Sequence, residues 1–229
     1  MSFNAIASIV AGGFITILVT IFVEVLRRPK LRLAVGNTVD TIYAEERPAK
    51  KGRYLYVDLV NDPLPWYACW MSRGAALQCS GTITFHNLDG QLFFAREMPV
   101  RFSRTPEPVP VQLKVGEDVI TFFDPSRASA ESRIDVYPGE STPLDVAVKF
   151  ESEEEAYGWS NLNYFSTPRW RNPDWKLPQG RYLVEITISS SGRKCRDVFR
   201  LFNEAGPKDF RLRPALPTDK AAMTANKRK

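Results

Sequence analysis

Polar and apolar positions alternate along much of this chain, but not at its start. Residues 1–23 carry no charged side chain, and residues 5–23 (AIASIVAGGFITILVTIFV) are apolar or small almost throughout. As a helix rising ~1.5 Å per residue, that run reaches roughly 29 Å, about the hydrocarbon thickness of a bilayer. It ends in EVLRRPKLRL, so Arg27, Arg28, Lys30 and Arg32 crowd its C-terminal side. A cleaved signal peptide would put its charge before the apolar core and end on small residues. Here that order is reversed, and the sequence predicts a retained transmembrane helix over residues 1–28. Positive charge gathers on the cytoplasmic side. The expectation is a single-pass protein of the cell (inner) membrane, N-terminus outside and C-terminal domain in the cytoplasm. The four cations are read as lipid headgroup contacts.

After Pro29 the period changes to two. Alternation marks residues 30–35 (KLRLAV), 54–60 (YLYVDLV), 77–85 (LQCSGTITF), 144–150 (LDVAVKF), 182–189 (YLVEITIS) and 197–202 (DVFRLF). Turn signals separate them, among them NLDG at 87–90, YPGES at 137–141 and SSGR at 190–193. With no clear helical period beyond residue 28, the pattern predicts a mainly β domain, an antiparallel sandwich ahead of a β-barrel. LPQGRYLVEITISSSGRKCRDVFRLFN reads as a closing hairpin, and Tyr182 stands where a tyrosine corner would bond back to the preceding turn. YLYVDLVNDP and ALQCSGTITF read as the first pair of strands in opposite sheets.

Over roughly residues 30–212 these features resemble the membrane-tethered immunoglobulin-like domains of many bacterial proteins. The resemblance implies a fold and brings no functional residues. The expected organisation is therefore a helix and basic juxtamembrane segment at 1–28, an Ig-like β-sandwich at 29–213, and a disordered basic tail at 214–229. Residues 104–115 (RTPEPVPVQLKV), with alternate prolines, are expected to run extended or along an edge.

The net charge of +5 and pI near 9.1 belong to the two ends. Arg27, Arg28, Lys30 and Arg32 oppose only Glu24, and Lys220, Lys227, Arg228 and Lys229 oppose only Asp219, which leaves the rest close to neutral. Such a domain has no general attraction for nucleic acid, and none is expected as a partner. Three cysteines in no metal-ligand spacing suit free thiols in a reducing compartment.

Within the helix, every fourth residue from Asn4 is small or polar: Ser8, Gly12, Thr16, Thr20, Glu24. Ser8, Gly12, Thr16 and Thr20 form a ridge on which helices pack closely. A homo-oligomer is expected, in which a pair would use the middle of the ridge and a ring would use two faces of each helix.

No catalytic set emerges. The one histidine, His86, flanks a turn, no Gly-rich phosphate loop follows a strand, and Glu151, Glu153, Glu154 and Glu155 read as a solvated, edge-protecting run. No enzyme, metal or cofactor is expected.

One stretch invites recognition. YGWSNLNYFSTPRWRNPDW at 157–175 holds six aromatics in 19 residues. Trp159, Tyr164, Trp170 and Trp175, interleaved with Arg169 and Arg171, suit a contact surface for an unknown protein or small ligand. Alternatively the three Trp rings and Phe165 plug an open end of the sandwich. Recognition requires at least two of Trp159, Trp170 and Trp175 to keep an exposed ring face. The function read from the whole is a membrane-anchored binding or assembly module, self-associating through its helix. The alternative is a ligand- or partner-gated effector that permeabilises the bilayer.

Overall fold

The structure is a computed structural model that describes residues 3–43, 50–105, 111–116, 118–122, 132–164, 166–191, 193–206 and 209–226. Side chains in the first helix are described from Gly12 onward. The side chain of Ser8, Phe165, the prolines within 106–110 and the last three residues of the tail lie outside the described residues. In chain order the elements are α1 (Phe3–Arg27), β1 (Leu31–Val35), β2 (Val39–Tyr43), β3 (Lys50–Asn61) and β4 (Ala76–His86). The short β5 (Met98–Pro99) and β6 (Arg101–Phe102) precede a separate hairpin, β7 (Val111–Val115) with β8 (Asp118–Phe122). Next come β9 (Ile134–Val136), β10 (Ser141–Phe150), β11 (Ala156–Gly158), β12 (Lys176–Leu177), β13 (Gly180–Ser190), β14 (Arg193–Asn203), β15 (Phe210–Pro214) and α2 (Pro217–Asn226).

Two antiparallel sheets hold the core. One runs β1-β3-β10-β11-β12, with β2 on β3 and β6 on β10; the other runs β15-β14-β13-β4-β5, with β9 on β4. Each of the six alternating runs forms a strand, and β3 and β4 fall in opposite sheets. Leu55, Val57 and Leu59 of β3 and Leu144 of β10 meet Ile83, Phe85, Val184, Ile186 and Leu201 in one buried cluster. The close approach of β4 and β13 depends on Gly81, where a Cβ would meet the Thr187 carbonyl oxygen at 2.2 Å. The Tyr182 hydroxyl donates to the Pro178 carbonyl at 2.9 Å, the bond expected of a tyrosine corner.

The transmembrane expectation is corrected. Among the described residues, no helix is long and apolar enough to cross a membrane. Gly12, Gly13, Thr16, Thr20 and Glu24 interrupt the apolar surface of α1 over the residues whose side chains are described. The single-pass inner-membrane location and its orientation fall with it.

The tail also departs from expectation. It folds as α2, with Pro217 in the first turn and Asp219 accepting from the Leu216 N–H at 2.8 Å, half of a capping box. Arg200 Nε reaches Asp219 at 3.1 Å, and Met223 is buried with Leu183 and Val198. The folded unit thus extends past 213 to Asn226.

Asn61, the last residue of β3, is fully buried and fastens three segments. Its Oδ1 accepts from the Lys30 N–H at 3.1 Å, and its Nδ2 donates to the carbonyls of Gly74 and Val136, both at 3.1 Å. Asn203, the last residue of β14, does the same for the opposite sheet. Its Nδ2 donates to Leu177 and Pro178 carbonyls at 2.9 Å, and its Oδ1 accepts from Lys149 Nζ at 2.9 Å. Asn61→Ala strands one donor and two acceptors, and denaturant titration of the full chain should read a loss of about 3 kcal/mol.

Candidate functional site

The aromatic loop answers its own question by facing inward. A register shift between Asp145 and Ala147 in β10 exchanges the faces of that strand, so Val148 and Phe150 leave the central core. They join Tyr54, Tyr157, Trp159, Tyr164 and Trp170 in a second buried cluster on the outer face of the first sheet. Trp159 and Trp170 stack with centroids 3.9 Å apart, and Tyr54 and Tyr164 meet this pair edge-on at 5.1 Å. Trp175 joins the central core instead, edge-on to Phe94 at 5.1 Å. All three tryptophans are buried, so the condition for a recognition surface is not met. The loop is a lid, and Tyr164 belongs to its core.

The two loop arginines part ways. Arg169 is exposed and lies over the Tyr164 ring at 5.2 Å. Arg171 is buried, its guanidinium 3.8 Å from the Phe150 centroid and bonded to Glu153 at 2.8 Å. Glu153 also pairs with Lys50 at 3.1 Å, so this member of the acidic run is a structural counter-ion and not a solvated charge. Beneath the lid, Arg101 pairs with Asp145 and bonds Asn161 at 3.0 Å and the Thr105 carbonyl at 3.0 Å. Ser103 donates to Asp145 at 2.6 Å. Burial pushes the Asp145 carboxyl up, against the opposing pull of Arg101, Ser103 and Trp159. Every one of these groups is held by protein partners, which is the geometry of a support.

His86 is buried, with ring nitrogens 2.9 Å from Thr84 Oγ1 and 3.1 Å from the Gly90 carbonyl. A cleft of about 840 Å³ opens at the Lys50 end of β3, lined by Lys51, Arg53, Lys149, Glu151 and Gln179. Its Lys149 is held by Asn203 and the Glu204 carbonyl, and burial lowers its pKa. Among the described residues no cluster of His, Cys, Asp or Glu is placed to hold a metal ion.

At the other end of β3, around the root of α1, a dense set of apolar groups faces outward. Eight large apolar side chains of α1, from Phe14 to Val25, are each 50–61% exposed. At 100° per residue they span roughly 200° of the helix circumference. Gly12, Gly13, Thr16, Thr20, the half-buried Val23 and Glu24 occupy the remainder. A Cβ at either glycine would meet open space, which leaves a groove. Thr16 Oγ1 donates to the Gly12 carbonyl at 2.9 Å and Thr20 Oγ1 to the Thr16 carbonyl at 2.8 Å, so both hydroxyls are satisfied within the helix. At its foot, Lys30 and Arg32 share Asp62 at 3.9 and 3.3 Å.

Sequence reasoning missed a neighbouring cluster. In DPLPWYACW the short 3-10 turn Trp66–Ala68 presents Trp66, Tyr67 and Trp70 to solvent beside the exposed Cys69. Three aromatics within five residues, directly after Pro63 and Pro65 and with no strand period, were the available signal.

Compared with family models, curated proteins and solved structures, the chain matches none. The lid and the turn separate cleanly by substitution. Trp170→Ala should cost about 3–5 kcal/mol in chemical denaturation, while Trp66→Ala should stay within about 0.5 kcal/mol of the parent.

Proposed function

We propose that this protein is an assembly module, in which α1 joins copies of the chain and the β-sandwich is the body each copy carries. The observation behind this reading is the exposure of α1. Burying one large apolar side chain removes roughly 60–120 Å² from water, so the eight together offer roughly 500–900 Å². That approaches the ~800 Å² each partner contributes to a standard interface. An apolar arc of roughly 200° is twice as wide as the stripe a surface helix ordinarily buries, and nothing else in the described chain covers it.

A second copy of α1 suits both sides of this helix. The open groove at Gly12 and Gly13, floored by threonine methyls, accepts the bulky arc of a neighbour, whose own groove then faces the next copy. Such contacts are heterologous and close into a ring when the rotation allows.

Light scattering of the purified full chain should give a mass that is a multiple of the 26.0 kDa protomer. Gly12→Ile, which fills the groove, and Ile17→Ser, which cuts the arc, should each weaken association at least tenfold. A pair built on the small ridge alone would respond only to Gly12→Ile. A parent chain that stays monomeric at tens of micromolar would contradict the reading.

A further inference from the structure

The turn after β3 combines three features that the assembly reading does not use. Trp66 is 86% exposed, Trp70 76% and Tyr67 57%. Trp66 and Tyr67 meet edge to face with centroids 6.0 Å apart, while Ala68, buried beneath them, anchors the turn to the domain. The turn is also fastened to the end of α1. The Gly74 N–H donates to the Arg27 carbonyl at 2.6 Å, and Arg73 Nη1 donates to the Arg28 carbonyl at 2.8 Å. Arg27, Arg28 and the half-buried Arg73 are thereby held at the junction of the turn with α1. Among the described residues none of the three pairs with a carboxylate, whereas Lys30 and Arg32 share Asp62.

From this juxtaposition we infer that the turn and its arginines form a docking surface for the face of an anionic lipid bilayer. Indole and phenol rings settle at the boundary between headgroups and acyl chains, because their bodies are apolar and their N–H or O–H stays wet. Guanidinium groups meet lipid phosphates with paired hydrogen bonds. A nucleic acid partner would need positive charge tracking along a groove, and outside its two ends this chain is close to neutral. The contact is with a lipid surface and requires no spanning segment. It is independent of whether α1 joins copies of the chain.

Cys69 sits within the turn and supplies the test. In a Cys195→Ser background it is the accessible thiol, since Cys79 is buried. An environment-sensitive fluorophore on Cys69 of the full chain should shift to the blue on phosphatidylcholine vesicles that contain phosphatidylserine. The shift should be smaller without phosphatidylserine and should weaken with added salt. Replacing Trp66 and Trp70 together by Ser should weaken vesicle binding at least tenfold. Changing Arg27, Arg28 and Arg73 to Gln should abolish the preference for anionic vesicles. A label that remains in water while vesicles bind through α1 would overturn the inference, as would equal binding by the Trp66→Ser/Trp70→Ser chain.

Discussion

A buried amide at the end of β3 ties the exit of α1 to two other segments at once. Asn61 holds the Lys30 N–H with its oxygen and the Gly74 and Val136 carbonyls with its nitrogen. Backbone bonds reinforce the same junction, from Asp62 N–H to the Lys30 carbonyl at 3.0 Å and from Gly139 N–H to the Asn61 carbonyl at 2.8 Å. A buried amide left half-satisfied is costly, so the three segments are fixed together or not at all. Because Gly74 and Arg73 bond the last turn of α1, the aromatic turn, the arginines and the apolar helix share one end of the molecule. A core hydrogen-bond set fixes these groups in place together.

The outer face of the first sheet is closed for a complementary reason. The rings of the 157–175 loop cover the outer face of the first sheet, which the shift in β10 had made apolar at Val148 and Phe150. Their burial leaves Arg101 and Asp145 under a lid, paired to each other and bonded on every side. A buried pair of this kind adds little net stability but is costly to break, so it holds the lid in one position. The same logic ties both Arg171 and Lys50 to Glu153. Aromatic and charged residues that read as recognition chemistry are spent on covering a sheet.

Six strands were legible because polar and apolar residues alternate along them, even though β10 and β13 are buried on both faces. The tyrosine bond at Pro178 was legible for the same local reason. The destination of the lid was not, since a single extra residue near Val146 reverses which β10 side chains point inward and leaves no mark in composition. α2 was hidden because its docking rests on few residues, chiefly Met223 and the Asp219–Arg200 pair, amid lysines that look like a solvated tail. The apolar run at the start was visible, but its apolarity alone did not say what covers it. Gly12, Thr16 and Thr20 were picked out as a packing ridge. That their hydroxyls turn back onto the helix, leaving methyls outward, needed the structure.

The account stands on α1 presenting two different faces to two neighbouring copies, and disulfide trapping addresses that directly. Thr16 and Leu18 lie about 160° apart around the helix. In a full chain whose native Cys69 and Cys195 are replaced by Ser, the double variant Thr16→Cys/Leu18→Cys should oxidise into a ladder of covalent oligomers beyond the dimer. Either single variant should stop at dimer or monomer. A double variant that traps nothing more than the single ones would contradict two-faced assembly.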